Sequence, residues 1–193
     1  MNLPTKLTVL RIIMIPVFAA VFFIEAVPYR FIISAAIFAL AAFTDFLDGH
    51  IARKYNMVTD LGKFLDPIAD KVLVAIALIV MLVSGGESAP ILPWYSSIAV
   101  AVILARELMI SGFRMVAASK GAVLAADFSG KIKTCVQDLA IVVLLVGKDI
   151  TPEPYGVMNI IGLALLGIAT LLTVYSGAEC LIKNRKVLKT EEK

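Results

Sequence analysis

Two unbroken apolar runs, 72–83 (VLVAIALIVMLV) and 160–174 (IIGLALLGIATLLTV), limit what this chain can become. Neither contains a charge, so neither can present the polar face that a surface helix of a soluble domain shows to water. The apolar share of the 193 residues is 60% and the charged share 17%, against about 45–50% and about 25% in soluble domains. The bilayer is therefore the expected solvent. A disordered chain, a disulfide scaffold and a soluble nucleic-acid binder are excluded. Cys135 and Cys180 sit in or beside apolar runs and make no framework.

A spanning helix takes about 20 mostly apolar residues. Six spans are expected, over roughly 7–26, 30–52, 66–84, 92–117, 131–146 and 155–182, with Pro, Gly and polar clusters between them. The first follows Lys6 but shows no small-residue cleavage site, and it reads as a retained helix rather than a signal peptide. Residues 1–182 then form one membrane domain, and 183–193 (KNRKVLKTEEK) a charged tail. Of the 18 Lys and Arg, only Arg30 and Lys148 fall at the opposite ends of these spans. The positive-inside bias puts the remaining basic residues and both termini in the cytoplasm. The expected fold class is all-α integral membrane, a six-transmembrane-helix bundle with cytoplasmic termini.

Residues 45–70 (DFLDGHIARKYNMVTDLGKFLDPIAD) break the apolar pattern. Asp45 and Asp48, three apart, share a helix face, with Gly49, Ala52 and Arg53 near it. After a short polar turn, Gly62, Asp66 and Asp70 recur every four residues and mark a second face. Four carboxylates at a membrane boundary are costly unless something neutralises them. No set of basic residues here has the spacing to do so one by one. The donors are all hard oxygens, with no His or Cys at ligand spacing, which favours Mg²⁺ or Mn²⁺ over zinc. Two such ions can clamp a diphosphate. The glycines and Ala52 leave room for a bulky substrate to approach the backbone. His50 reads as a boundary polar residue and Asp60 as a cap, while Lys63 and Lys71 are placed to meet phosphates or headgroups.

The pattern Asp45-x2-Asp48-Gly49-x2-Ala52-Arg53-x8-Gly62-x3-Asp66-x3-Asp70 resembles the signature of the CDP-alcohol phosphotransferases at every position. The resemblance implies a membrane enzyme that moves a phosphatidyl group from a CDP-linked lipid to an alcohol and releases CMP. It implies two metal ions held by Asp45, Asp48, Asp66 and Asp70, with Asp70 also the general base. It places the nucleotide near Thr8, Asp48, Gly49, Ala52, Arg53, Gly62 and Asp66, and it implies a homodimer. A water-soluble acceptor and nucleotide with a lipid donor put the active site at the membrane interface, and the Lys and Arg count puts it on the cytoplasmic side.

A second constellation bears on the acceptor. Arg106 and Glu107 interrupt an apolar stretch, and Arg114 follows eight residues on, about 12 Å along a helix axis and on roughly the same side. Downstream, Lys131, Thr134 and Asp138 share one stripe, and Lys133 and Gln137 the next. A basic pocket formed by Arg106, Arg114, Lys131 and Lys133 suits a phosphate dianion better than neutral inositol or zwitterionic serine. Any phosphorylated alcohol, inositol phosphate included, satisfies that chemistry. The segments REL, SGFR, SGKIKTCVQD and NLPTKLTVLR are also similar to the phosphatidylglycerophosphate-forming branch, with Thr5 where that branch commonly has Asn. The implied reaction joins CDP-diacylglycerol and sn-glycerol 3-phosphate to give phosphatidylglycerophosphate and CMP. A cation or proton path is the rival from another class. The acids cluster at one face and the other half of each span is nearly uncharged, so no route across is visible.

Overall fold

The computed structural model describes residues 3–55, 60–83, 90–119, 128–151 and 156–184, and for 3–5, 45–55, 60–67, 70, 119 and 128 it describes the backbone only. Six helices make up the described chain: α1 (Leu3–Phe23), α2 (Arg30–Tyr55), α3 (Asp60–Leu82), α4 (Ser96–Ser119), α5 (Phe128–Ile150) and α6 (Val157–Lys183). Each predicted span has its helix. The boundaries differ where polarity was read as a turn. Helix α3 already begins at Asp60, inside the predicted polar turn, because a helix that leaves the apolar layer continues without needing apolar residues. Helix α4 begins at Ser96 instead of Leu92. Pro93 sets the turn there, and the N–H groups of Ile91 and Leu92 bond back to the Met81 carbonyl at 3.1 and 2.9 Å. These bonds satisfy an acceptor that the end of α3 would otherwise leave open.

Helices α1, α4 and α6 are each long and apolar enough to cross a membrane, over 6–23, 96–118 and 157–183. Helices α2 and α3 have shorter apolar stretches, 30–44 and 71–82, because the rest of each carries the acidic segment. Large apolar side chains face outward along the helices, among them Ile98, Leu108, Val157 and Leu171. An apolar exterior around an apolar core is what a lipid solvent permits and water does not.

Helices α1 and α2 run antiparallel: the Phe22 and Phe31 rings lie 5.3 Å apart, Phe18 and Phe38 lie 6.2 Å apart, and Arg11 meets Ala41. Helices α5 and α6 do the same at closer range. A Cβ on Gly162 would sit 2.5 Å from Leu144 Cγ, and one on Gly147 would sit 2.9 Å from Met158 Cβ. The core between these pairs, filled by Phe18, Phe38, Leu78, Met81, Ile141 and Leu144, also takes in α3 and the start of α4. A smaller cluster of Ile110, Phe113 and Cys180 joins the far part of α4 to α6.

The alternating directions sort the helix ends into two sets. One set joins the ends of α1, α3 and α5 with the starts of α2, α4 and α6. Here Asp149 of α5 accepts the Ile32 N–H of α2 at 2.8 Å, capping a neighbouring helix. The carboxylate meets the positive end of the helix dipole there. Tyr29, Trp94 and Tyr95 are exposed at this end, the placement of aromatic side chains at a membrane interface. The opposite set carries the acidic segment and most of the basic residues.

The small residues of α6 have an internal use. Gly162, Ser176 and Gly177 are buried against α5 and α4, while Gly167 and Ala178 are exposed. Cys135 and Cys180 are both free thiols.

Candidate active site

The signature straddles two helices. Asp45, Asp48, Gly49, Ala52 and Arg53 lie on the second half of α2, and Gly62, Asp66 and Asp70 on the first half of α3. Helical rise separates Asp45 from Asp48 by about 4.5 Å and Asp66 from Asp70 by about 6 Å. Each pair therefore occupies neighbouring positions on its helix. The side chains of these eight residues, and those of His50, Asp60 and Lys63, lie outside the described set. Among the described side chains, no group of three or more His, Cys, Asp or Glu could hold a metal ion.

Helix α1 meets α2 just ahead of Asp45. Thr8 and Arg11, one turn apart, are both buried. The Arg11 Nε donates to the Ala41 carbonyl at 3.3 Å, and the Thr44 hydroxyl donates to the same oxygen at 2.7 Å. In an α-helix the Ala41 carbonyl is also the partner of the Asp45 N–H. One donor of Arg11 is therefore used one turn ahead of the first aspartate. The spacing of three between Thr8 and Arg11, inside an apolar run, is the sequence signal for this contact.

A second polar cluster gathers α4, α5 and α6. Arg106 Nη1 donates to Glu107 Oε1 at 3.1 Å, and Arg106 Nη2 donates to Ser176 Oγ at 2.8 Å. Lys133 of α5 is buried and pairs with the same Glu107 oxygen. One carboxylate oxygen thus serves two cations from two helices. Arg106 lies along α6 where there is no side chain: a Cβ on Gly177 would come within 3.1 Å of both its Cγ and its Nε. Two polar atoms in this region are buried without a hydrogen-bond partner among the described residues, Arg106 Nε and Gln137 Oε1. Gln137 is one turn from Lys133 on α5.

Of the four predicted acceptor residues, the structure brings Arg106 and Lys133 together and leaves Arg114 and Lys131 exposed. Eight residues turn a helix by about 80° beyond two full turns, enough to take Arg114 off the face that Arg106 shares with α6. On α5 the two predicted stripes separate as expected, with Lys133 and Gln137 inward and Lys131 outward. Beyond them, Glu179 accepts from the Ser129 hydroxyl at 2.8 Å and pairs with Lys183 at 2.5 Å. Ser176 and Gly177 are uncharged residues in an apolar span, so nothing local in the sequence marks their contact with Arg106.

Residues 1–175 match the family model described as CDP-alcohol phosphatidyltransferase. The chain is 38% identical over 203 residues to the CDP-diacylglycerol–glycerol-3-phosphate 3-phosphatidyltransferase of Bacillus subtilis (strain 168), covering 98% of each chain. It is 40% identical over 179 residues to the protein of the same name from Salmonella typhimurium (strain LT2), covering 91% of this chain and 90% of that one. The like-named protein of Rickettsia bellii (strain RML369-C) is 40% identical over 177 residues, with 91% of each chain covered.

Proposed function

The chain belongs to the CDP-alcohol phosphatidyltransferase family of transferases, and from that we propose that it transfers the phosphatidyl group of CDP-diacylglycerol to sn-glycerol 3-phosphate, releasing phosphatidylglycerophosphate and CMP. The observation that carries the acceptor assignment is the meeting of Arg106 and Lys133 over one Glu107 oxygen, which gathers two basic side chains from two helices at one point. A phosphate dianion suits such a cluster, since forked guanidinium donors and an ammonium charge both favour it. A neutral polyol gains less from them. The exposed Arg114 and Lys131 draw the phosphorylated acceptor toward the site from its rim.

The donor set of the signature suits hard divalent cations: four carboxylates and no sulfur or imidazole. Asp45, Asp48, Asp66 and Asp70 would hold two Mg²⁺ or Mn²⁺ ions. Bound there, such ions supply charge neutralisation to a diphosphate and to the departing CMP. Asp70 takes the proton of the acceptor hydroxyl as its oxygen forms the new bond to phosphorus and the bond to CMP breaks. Thr8, Gly49, Ala52, Arg53 and Gly62, with Asp48 and Asp66, bind the nucleotide, the small residues admitting it close to the backbone.

The six helices span the bilayer with both termini in the cytoplasm, as the distribution of Lys and Arg supports. The site then lies at the inner surface of the cell membrane, where a water-soluble acceptor meets a lipid donor. The enzyme works as a homodimer. Purified protein with CDP-diacylglycerol, Mn²⁺ and a panel of acceptors tests this reading. CMP release with glycerol 3-phosphate is expected. Release with inositol phosphate alone overturns the acceptor assignment, and ion flux in proteoliposomes without CMP release overturns the enzyme.

A further inference from the structure

Arg106 is held by groups on two helices, and the α6 contribution is unusual for a span so apolar. Ser176 has one hydroxyl hydrogen, directed at the Thr173 carbonyl at 3.3 Å, so its oxygen is left to accept from Arg106 Nη2 at 2.8 Å. The next residue, Gly177, removes the one atom that would push the arginine away: a Cβ there would lie 3.1 Å from both Cγ and Nε. Such a contact is tighter than ordinary packing, and the neighbour on that side is the arginine stem itself. Both residues are buried. A serine and a glycine in sequence thus make a shelf, one residue bonding the guanidinium and the other making room for it. The Glu107 carboxylate holds the other Nη, so the planar fork is fixed from both sides.

We propose that Ser176 and Gly177 are positioning residues for the acceptor phosphate, acting through Arg106. Helix α6 thereby sets the reach of the arginine. The inference rests on the reading of Arg106 as a phosphate ligand. Neither shelf residue touches the reacting atoms. Its loss moves the phosphate by shifting the guanidinium, a displacement of a few tenths of an ångström for an added Cβ.

The test uses the full chain in detergent–lipid micelles with saturating CDP-diacylglycerol and Mn²⁺. Gly177→Ala and Ser176→Ala are each expected to raise KM for glycerol 3-phosphate about tenfold, the scale of one lost hydrogen bond to a charged group. The KM for CDP-diacylglycerol and kcat stay within about twofold, on the expectation that binding and not chemistry is affected. Gly167→Ala is the control, since a Cβ there meets open space. A role in packing alone would change both KM values together, or neither. Acceptor KM values for both shelf variants that match the parent overturn the inference while Arg106→Ala still raises that KM. An unchanged acceptor KM in Arg106→Ala overturns the reading beneath it as well.

Discussion

Arg11 on α1 and Ala41 on α2 are joined by one hydrogen bond, from the guanidinium Nε to the carbonyl oxygen at 3.3 Å, with Arg11 wholly buried. That carbonyl is one helical turn before Asp45 and also accepts from the Thr44 hydroxyl. The bond ties α1 to the stretch of α2 from which the acidic signature starts. Arg11→Met removes the tie and keeps most of the volume. It is expected to raise the Mn²⁺ concentration for half-maximal CMP release about tenfold, the worth of one charge-assisted hydrogen bond, with the acceptor KM unchanged. A metal titration of the variant checks this, and an unaltered metal requirement would break the link between Arg11 and the aspartates.

Chelation and Asp70 address the chemistry directly. EDTA is expected to abolish CMP release, and either Mg²⁺ or Mn²⁺ to restore it. Asp70→Asn keeps the size of the side chain and removes its basicity. Turnover then falls by at least about 100-fold, the lower range for a general base, while binding of labelled CDP-diacylglycerol is partly retained. Full turnover in the chelated enzyme would remove the metal reading altogether.

The apolar runs revealed the helices because hydropathy in a lipid solvent is nearly a one-residue property: a stretch either belongs in hydrocarbon or does not. The acidic signature was legible for a different reason, since spacings of three and four state a face without reference to the rest of the chain. The acceptor cluster was legible only in part. Arg106 and Arg114 look equivalent along α4, and what separates them is α6, whose Ser176 and Gly177 lie some seventy residues away. The partners of Glu107 depend on the approach of α5, which no local pattern encodes. The start of α3 was misjudged because polarity was taken to end a helix when it ends only the apolar part of one.

Glu107 separates two cations that would otherwise face each other. Its side chain is 18% exposed and that of Lys133 is 4% exposed. Glu107→Gln is expected to destabilise the protein by about 3 kcal/mol, the low end for breaking a buried pair given the partial exposure. Adding Lys133→Met restores much of that stability, because the repelling charge is gone. It does not restore turnover at low glycerol 3-phosphate. Melting curves and acceptor KM values on the single and double variants separate the two effects. Recovery of both together would make the cluster a structural device only.

Asp149 caps α2 from α5 at the end of the bundle away from the signature, through the Ile32 N–H at 2.8 Å. Asp149→Ala leaves that N–H without its acceptor. A loss of about 1 kcal/mol is expected, the usual cost of a removed helix cap. Neither KM changes, since the signature and the Arg106 cluster sit at the other end. Thermal denaturation beside steady-state kinetics is the measurement. A change in acceptor KM would mean that strain passes along α2 or α5 into the site.

Gly162 brings α6 close against α5: its missing Cβ would lie 2.5 Å from Leu144 Cγ and 2.7 Å from Leu144 Cδ2. The two nearest obstructing atoms belong to the Leu144 side chain, with its backbone nitrogen farther off at 3.3 Å, so shortening that side chain relieves most of the clash. Gly162→Ala alone is expected to cost about 1–3 kcal/mol through overpacking. Leu144→Ala alone opens a cavity and costs about 2–5 kcal/mol. Together the added methyl enters the space that leucine vacated, and the double variant is less destabilised than the two losses combined, by at least about 0.5 kcal/mol. Melting temperatures of the four proteins in one detergent give the coupling. Strict additivity would mean that the helices part to admit the methyl, and that the contact of α5 with α6 is looser than the Gly162–Leu144 distance implies.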